Sequence, residues 1–243
     1  PGRQKFNEGH IPDAIFVDLD EHLATLPQKT QGRHPMPAAA SFAASMGALG
    51  IRHHDRVVAY DDSGGMSAGR LVWMLRILGQ QAALLDGGVD AWSGDLEIGP
   101  RDRQAVDHPI RPWPPTLLVN ADEAAVAGTD PNRALIDSRS PDRYFGENEP
   151  VDPQAGHIPG AINLPFGGNL TDNGFFRSPQ ELRARFEQAG LSDNDVPVMY
   201  CGSGVSACNN LLAFEHAGLG QAVLYAGSWS QWSNDQDRPV ETR

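Results

Sequence analysis

Cysteine is scarce in this chain. Only two of its 243 residues are cysteines, Cys201 and Cys208, and they lie seven positions apart. Two thiols cannot build a disulfide framework, and they cannot supply the four ligands of a structural zinc site. We therefore expect no metal centre and a reducing, cytoplasmic setting, in which a lone thiol can act as a nucleophile.

Positive charge is also scarce. The chain has 19 Lys and Arg against 31 Asp and Glu, which gives a net charge of −12. Nucleic acids and anionic membranes are recognised by basic surfaces, so we expect neither as a partner. No run of about eighteen apolar residues is present, which predicts no membrane span. A small anionic substrate remains compatible with this composition if local arginines or backbone amides attract it.

A duplicated unit occupies most of the chain. The stretch FAASMGALGIRHHDRVVAY ends at Tyr60, and the similar LRARFEQAGLSDNDVPVMY ends at Tyr200, 140 residues later. Leu84, which begins LLDGGVDAWS, has its counterpart Leu224 at the same offset. GHIPDAIFVDLD begins at Gly9 and recurs as GHIPGAINLPF. Matches that keep the same order over so long a period predict two similar globular domains, because solenoid repeats are much shorter.

Each half alternates β-rich and helical segments. RVVAY and VPVMY both precede a glycine-bearing loop, and the helical patterns SAGRLVWMLRILG and SACNNLLAFEHAG follow. This order is typical of an α/β domain whose mostly parallel sheet is flanked by helices. We predict domains at residues 1–98 and 116–243, joined by a proline-rich linker at 99–115. The opening strand RALIDSR of the second half has no counterpart in the first, so we expect the first strand of the N-terminal domain to be missing.

Cys201 stands between a predicted strand and a predicted helix. Ligands of α/β proteins bind at the carboxyl ends of the strands, where this thiol falls. The glycines of CGSGVSA permit a turn with inward amides, and the helix N-terminus adds positive charge, so negative sulfur is stabilised there. Cys208 lies within the helix and is predicted to be structural. Asp61 occupies the matching position of the first half, which predicts that only the second half is catalytic.

Three chemistries use a cysteine in such a loop. A cysteine phosphatase has an arginine six residues after the cysteine to clamp the phosphate, but here that residue is Ala207. A cysteine protease pairs its thiol with a histidine, and His216 lies too far along the helix to reach back. Capture of a sulfur atom as a persulfide remains, because inward amides would stabilise the added sulfur.

Together these stretches resemble the tandem rhodanese family of sulfurtransferases. The similarity rests on GHIPDAIFVDLD, LLDGGVDAW, LIDSRSPDRYFG, GHIPGAINLPF, YCGSGVSAC and YAGSWSQW, which extend from Gly9 to about Trp232. The resemblance implies an inactive N-terminal domain, a catalytic C-terminal domain, a persulfide on Cys201 and no cofactor. Its substrate-binding loop residues would be Gly202, Gly204, Val205 and Ser206.

The residues after the cysteine favour one branch of this family. Members that use thiosulfate carry basic residues there to hold a dianion, whereas this chain has Gly202 and Ser203, as in the 3-mercaptopyruvate branch. In that branch the loop serine works with an aspartate and a histidine of the N-terminal domain, which match Asp20 in FVDLD and His34 in GRHPMP. We therefore expect sulfur transfer from 3-mercaptopyruvate to cyanide or a thiol, with a Ser–His–Asp relay across the inter-domain cleft.

Two other functions remain open at this point. The donor could be thiosulfate, or the protein could be a persulfide relay or redox-sensing module that binds a protein partner. Local structure also offers simpler roles for two of the candidates: Asp20 could cap the next helix, and His34 could be an ordinary loop residue.

A carboxylate-bearing donor needs a cation. The resemblance assigns this role to Arg143 in DSRSPDRYFG. A second arginine is common before GHIPG in the mercaptopyruvate branch, but this chain has Val151 and Asp152 near that point. Arg33 or Arg70 could compensate for it, and the sequence does not decide between them.

Other charged residues of the same motifs are expected to be structural. Arg139 would pair with Asp137 or with the backbone as part of the scaffold. His10 and His157, each in a GHIP motif, would tie down the backbone beside a tight proline-containing turn.

Overall fold

The structure, a computed structural model, describes residues 2–242. The chain forms two compact units. The first contains the chain up to Thr25 together with Met36–Trp113, and the second contains Leu26–Pro35 together with the chain from Pro114 onward. The segment Leu26–Pro35, which precedes most of the first unit in the chain, therefore belongs to the second.

The first unit is an α/β unit with a small parallel sheet. Strands β1 (Val57–Ala59) and β2 (Ala82–Leu84) pair in parallel and are the two strands of this sheet within residues 2–242. Helix α4 (Met66–Ile77) connects them and is largely buried, as a crossover helix between parallel strands must be. The helices before β1 are α1 (Gly2–Glu8), α2 (Leu19–His22) and α3 (Ala39–Ala48).

The second unit is built on a five-stranded sheet in the order β3-β7-β6-β4-β5, and all its strand pairs are parallel. The strands are β3 (Leu118–Val119), β4 (Leu135–Asp137), β5 (Ile162–Asn163), β6 (Val198–Tyr200) and β7 (Val223–Tyr225). The helices are α5 (Ala121–Thr129), α6 (Pro141–Tyr144), α7 (Pro179–Gln188), α8 (Ala207–His216) and α9 (Ser228–Trp232). The central strands β4, β6 and β7 are completely buried, as expected when helices cover both faces of a parallel sheet. The predicted α/β architecture is confirmed.

Helix ends follow the capping signals in the sequence. The Asn120 side chain accepts hydrogen bonds from amides in the first turn of α5, and the Asn120 amide donates to the Glu123 carboxylate. Ser178 and Glu181 form the same capping box at α7, where proline occupies the first helical position. Within residues 2–242, no helix combines the length and the apolar character needed to cross a bilayer.

The duplication is visible in matching tertiary contacts. The Tyr60 hydroxyl accepts the amide of Ile11 at 3.0 Å, and the Tyr200 hydroxyl accepts the amide of Ile158 at 3.1 Å. Because each bond joins a strand end to its own GHIP turn, the two units place the repeated motifs alike.

The histidines of the two GHIP turns are also held alike. His10 bonds to the Phe6 carbonyl and stacks on its ring, and His157 does the same with Tyr144. Both imidazoles are buried against backbone, so they are scaffold residues, as expected from their motif.

The predicted linker region lacks helix and strand from residue 99 to 114. Its backbone and side chains pack on the first unit: the Val106 amide donates to the Gly47 carbonyl at 2.9 Å, and the Trp113 indole donates to the Pro37 carbonyl at 2.7 Å. The prolines prevent regular structure here, and side-chain anchors hold the segment in place.

Candidate active site

Cys201 directly follows β6, and α8 begins at Ala207, so the loop between them lies at the carboxyl end of a central strand. The residue is buried. Its amide donates to the Ser228 hydroxyl at 3.1 Å, and its carbonyl accepts the Trp229 amide at 3.0 Å. The start of α9 therefore fixes the backbone on both sides of the thiol.

Two left-handed residues shape this loop. Gly204 has φ +73°, and a Cβ there would approach the Ala226 carbonyl oxygen to 2.5 Å, so only glycine fits. Ser228 has φ +53° although it is not glycine. Its hydroxyl donates to the Tyr225 carbonyl at 2.9 Å while accepting from Cys201. A strained residue held by buried bonds next to a candidate nucleophile is typical of an active site.

The remaining loop residues lie between the thiol and α8. Gly202 and Val205 are buried, and Ser206 precedes the helix without a side-chain capping bond. The dipole of α8 places partial positive charge at this end of the loop. The substrate-contacting roles of Gly202, Gly204, Val205 and Ser206 stay predictions.

Cys208 occupies the first turn of α8 and is buried. Its thiol donates to the Gly204 carbonyl at 3.4 Å. The side chain thus packs against the inner side of the loop and supports it, in agreement with a structural role.

His34 and Ser203 meet in the second unit, although 169 residues separate them in the chain. The imidazole Nδ1 and the serine Oγ are hydrogen-bonded at 2.7 Å, and the position of the shared proton depends on the imidazole tautomer. Ser203 lies two residues after Cys201, so a serine–histidine pair adjoins the thiol loop.

His34 is positioned by the segment Leu26–Pro35. The Arg33 amide donates to the Ser230 hydroxyl at 3.0 Å, and the Gln231 side-chain amide donates to the Thr30 carbonyl at 2.6 Å. Gly32 packs so closely on α9 that a Cβ would lie 2.6 Å from the Gly227 carbonyl oxygen. The segment is therefore docked along the same helix that fixes Cys201.

Asp20 lies in the first turn of α2, in the first unit. The cap of this helix is Asp18, whose carboxylate accepts the amides of Asp20 and Glu21. The alternative role of Asp20 as a helix cap is therefore wrong. Its participation in a relay stays a prediction.

Arg143 is held by two buried carboxylates. Its Nε and Nη2 donate to Glu149 at 3.1 and 2.7 Å, and Nη2 also donates to Asp152 at 3.0 Å. Burial would raise the pKa of Glu149, but the bonds from Arg143 and from backbone amides outweigh it, so this pKa lies below its ordinary value. Glu149 is consequently a permanent counter-charge that orients the guanidinium.

Arg33 is the second arginine at the loop. Its Nη1 donates to Asp152, and a Cβ placed on Gly202 would lie 3.0 Å from Nη2 of Arg33 and 3.2 Å from Nη1 of Arg143. The two guanidinium groups therefore converge on Gly202, next to Cys201. Arg70 is instead buried in the first unit, where it donates to the Leu23 carbonyl at 3.0 and 3.1 Å.

Arg139 has the predicted scaffold role. It donates to the Asp137 carboxylate at 2.6–3.1 Å and to the Gly156 carbonyl at 2.6 Å, and it lies over the Trp229 ring. It links β4, the second GHIP turn and α9, and is buried throughout.

The first unit contains a matching loop with Asp61 in the place of Cys201. One carboxylate oxygen of Asp61 accepts the amides of Ser63 and Gly65 at 2.9 and 2.8 Å. The other accepts those of Ser67 and Ala68 at 2.9 and 3.0 Å. Four backbone amides thus converge on one anionic side chain, which demonstrates within this protein that the loop is an anion cradle.

Sequence reasoning missed Glu149, the bridging position of Asp152 and the role of Ser228. The repeat contained a signal for Ser228, because its counterpart 140 residues earlier is Gly88, a left-handed glycine with φ +61°. The first copy has glycine at this position, so the serine of the second copy indicates that its side chain has a role that offsets the cost of the left-handed backbone.

Comparison with known proteins agrees with this geometry. The family described as rhodanese-like domain matches residues 2–95 and 120–235. The chain belongs to the rhodanese-like family. Among curated relatives, a Pseudomonas aeruginosa protein named "Probable 3-mercaptopyruvate sulfurtransferase" is 41% identical, covering 99% of this chain and 87% of that protein. The 3-mercaptopyruvate sulfurtransferase of Escherichia coli is 33% identical, with coverage of 98% and 85%, and the thiosulfate sulfurtransferase of Cricetulus griseus is 35% identical, with coverage of 99% and 82%.

Solved structures of other proteins have the same fold. The 3-mercaptopyruvate sulfurtransferase of Leishmania major superposes with a TM-score of 0.83 at 32% identity, covering 95% of this chain and 66% of that chain. An anaerobic ergothioneine biosynthesis enzyme from Chlorobium limicola superposes with a TM-score of 0.86, covering 99% of this chain. This chain spans 62% of that enzyme at 24% identity, so the likeness shows the fold alone.

Proposed function

We propose that this chain is a sulfurtransferase that takes a sulfur atom from 3-mercaptopyruvate onto Cys201 and passes it to cyanide or a thiol. The observation that carries the choice of donor is the 2.7 Å bond between His34 and Ser203 in the loop of Cys201. The names of the curated sulfurtransferases to which the chain is similar support the reaction class.

In the first half-reaction, the Cys201 thiolate attacks the sulfur of the donor. The carbon–sulfur bond breaks, and its electron pair moves to the carbon, where the neighbouring ketone stabilises it as an enolate. The donor's thiol proton travels through Ser203 and His34 and ends on that carbon, giving pyruvate and a Cys201 persulfide. A positioned acid–base pair lowers the barrier to such a proton transfer.

In the second half-reaction, cyanide or a thiolate attacks the outer sulfur. The sulfur–sulfur bond breaks, its electron pair returns to Cys201, and thiocyanate or a new persulfide leaves. The Asp61 loop supports the proposed intermediate, because an equivalent ring of amides holds an anion there. Both cysteines are free thiols, which suits a reducing compartment such as the cytoplasm.

Mass spectrometry of cysteine-containing peptides after incubation with 3-mercaptopyruvate tests this proposal. We expect one added sulfur on Cys201, none on Cys208, loss of turnover in Cys201→Ser and retention of most turnover in Cys208→Ser. A higher kcat/KM for thiosulfate than for 3-mercaptopyruvate would overturn the choice of donor. Persulfide on Cys201 without turnover of either donor would favour a relay or sensing module.

A further inference from the structure

A chain of alternating charges leads from the scaffold to the cysteine loop. Glu149 contacts both Arg139 and Arg143, at 3.2 and 2.7 Å. Asp152 contacts both Arg143 and Arg33. Asp152 therefore bridges the two arginines that converge on Gly202.

The bridging carboxylate is buried, whereas both arginines are partly open. The side chain of Asp152 is 2% exposed, that of Arg143 is 20% exposed and that of Arg33 is 31% exposed. Nη2 of Arg33 and Nη1 of Arg143 lie nearest to Gly202, whereas Nη1 of Arg33 and Nη2 of Arg143 are the nitrogens that donate to Asp152. Asp152 thus binds one nitrogen of each guanidinium group, and another nitrogen of each group faces the place where an anion would lie beside Cys201.

The cluster is electrically balanced. Its cations are Arg33, Arg139 and Arg143, and its anions are Asp137, Glu149 and Asp152. With three of each sign, the cluster contributes local hydrogen-bond donors but no net charge. Such a site suits a singly charged donor, because a dianion needs excess positive charge to offset its desolvation.

We propose that Asp152 is a specificity-determining residue. It bridges Arg33 and Arg143 into one donor-binding site to which both guanidinium groups contribute, and it sets the net charge of that site so that a monoanionic donor is preferred over a dianionic one. Arg33 is then a donor-binding residue supplied by the segment Leu26–Pro35. This inference rests on the proposed sulfur transfer and adds the residue that selects the donor.

Substitutions of Asp152 and of Arg33 are expected to shift the preference between the two donors in opposite directions. This distinguishes selection of the donor by charge from a purely structural role. Asp152→Asn retains the shape and a hydrogen-bonding oxygen but leaves the cluster with an extra positive charge. Arg33→Gln leaves it with an extra negative charge. If Asp152 only supported the fold, its loss would reduce the use of both donors together.

The experiment measures kcat/KM of the purified full chain for thiosulfate and for 3-mercaptopyruvate, with cyanide as acceptor, at about pH 7, where a free thiol is mostly protonated. The ratio of the two constants is the readout. The variants are Asp152→Asn, Arg33→Gln and, as a control for overall charge, Glu147→Gln, an exposed carboxylate of the same segment.

We expect the thiosulfate-to-mercaptopyruvate ratio to rise about tenfold or more in Asp152→Asn and to fall about tenfold or more in Arg33→Gln, the effect of one charge-assisted bond. It should stay within about twofold of wild type in Glu147→Gln, since an exposed charge is screened. An unchanged ratio in both site variants, or a shift in the same direction, would overturn the inference.

Two further outcomes are distinct from these. If Asp152→Asn does not fold, the sign of the shift in the partly exposed Arg33→Gln variant still decides. A wild-type chain that forms no persulfide with either donor refutes the proposed function itself, whereas an active wild type with an unchanged ratio in both variants refutes only the role of Asp152.

Discussion

In the proposed reaction, the bond between Ser203 and His34 would serve cleavage of a carbon–sulfur bond in particular. Thiosulfate releases sulfite when its sulfur–sulfur bond breaks, and sulfite is a stable anion that needs no proton. Mercaptopyruvate leaves a carbanion equivalent that must be protonated. The serine–histidine pair should therefore matter for one donor and be nearly dispensable for the other.

We expect His34→Gln to lower kcat with 3-mercaptopyruvate by about a hundredfold, the usual contribution of a positioned acid–base group. Its effect on thiosulfate turnover should be much smaller, and steady-state kinetics with both donors measures the difference. Ser203→Ala should give the same selective loss, and the double variant should be no worse than either single one, because a relay acts as a unit. The exposed His54→Gln is the matched control. Equal losses with both donors would argue against a proton relay.

At the scale of the element, the two strand–loop–helix units share a left-handed glycine, Gly64 in one loop and Gly204 in the other. They differ at the next residue, where Gly65 is left-handed and Val205 is not, and in the group that fills the loop. Asp61 occupies its own cradle with four amide bonds, so the loop before α4 is satisfied without any ligand. In the proposed reaction, Cys201 at the matching position carries the transferred sulfur where the first unit has a carboxylate.

Asp61→Asn should destabilise the first unit by about 1.5–3 kcal/mol, because the amide keeps only one acceptor oxygen and loses charge-assisted bonds. Urea or thermal unfolding followed by circular dichroism measures this change. Asp62→Asn is the control, since its ion pair with Lys5 is exposed and screened by solvent and therefore contributes little to stability. Persulfide formation on Cys201 should persist in both variants. Equal stability of the two variants would contradict the assignment of Asp61 as an anchor of its loop.

The sequence predicted these elements better than it predicted their partners. Local signals such as the repeat and the strand–loop–helix order identify β1, β6, α4 and α8, because neighbouring residues decide them. The contacts of Arg33 with Asp152 join positions 119 residues apart, and only tertiary packing brings them together. The missing arginine near Asp152 was visible in the sequence, but the position of Arg33 beside Gly202 depends on the docking of the segment Leu26–Pro35 against α9.

At the scale of the whole molecule, the second unit, which carries Cys201, is discontinuous in the chain. Its hydrophobic core contains Ala121, Leu135, Tyr200, Tyr225 and Trp229 with their neighbours, and every member lies after Pro114. Its Arg33 and His34, however, come from a segment that precedes most of the first unit. Folding and the proposed catalysis therefore make different demands on the chain, because the hydrophobic core draws no member from the segment that carries Arg33 and His34.

A fragment of residues 114–243 should fold, as judged by circular dichroism, yet show little turnover of 3-mercaptopyruvate, because it lacks His34 and Arg33. A synthetic peptide of residues 26–35 should restore part of that activity, since the backbone bonds to Thr30 and Arg33 and the close packing of Gly32 provide a docking site. About millimolar peptide is needed to replace the effective concentration that the covalent connection supplies. The same peptide with Arg33 and His34 replaced by glutamine should bind without restoring activity. Full activity of the fragment alone would show that the segment contributes nothing to the chemistry.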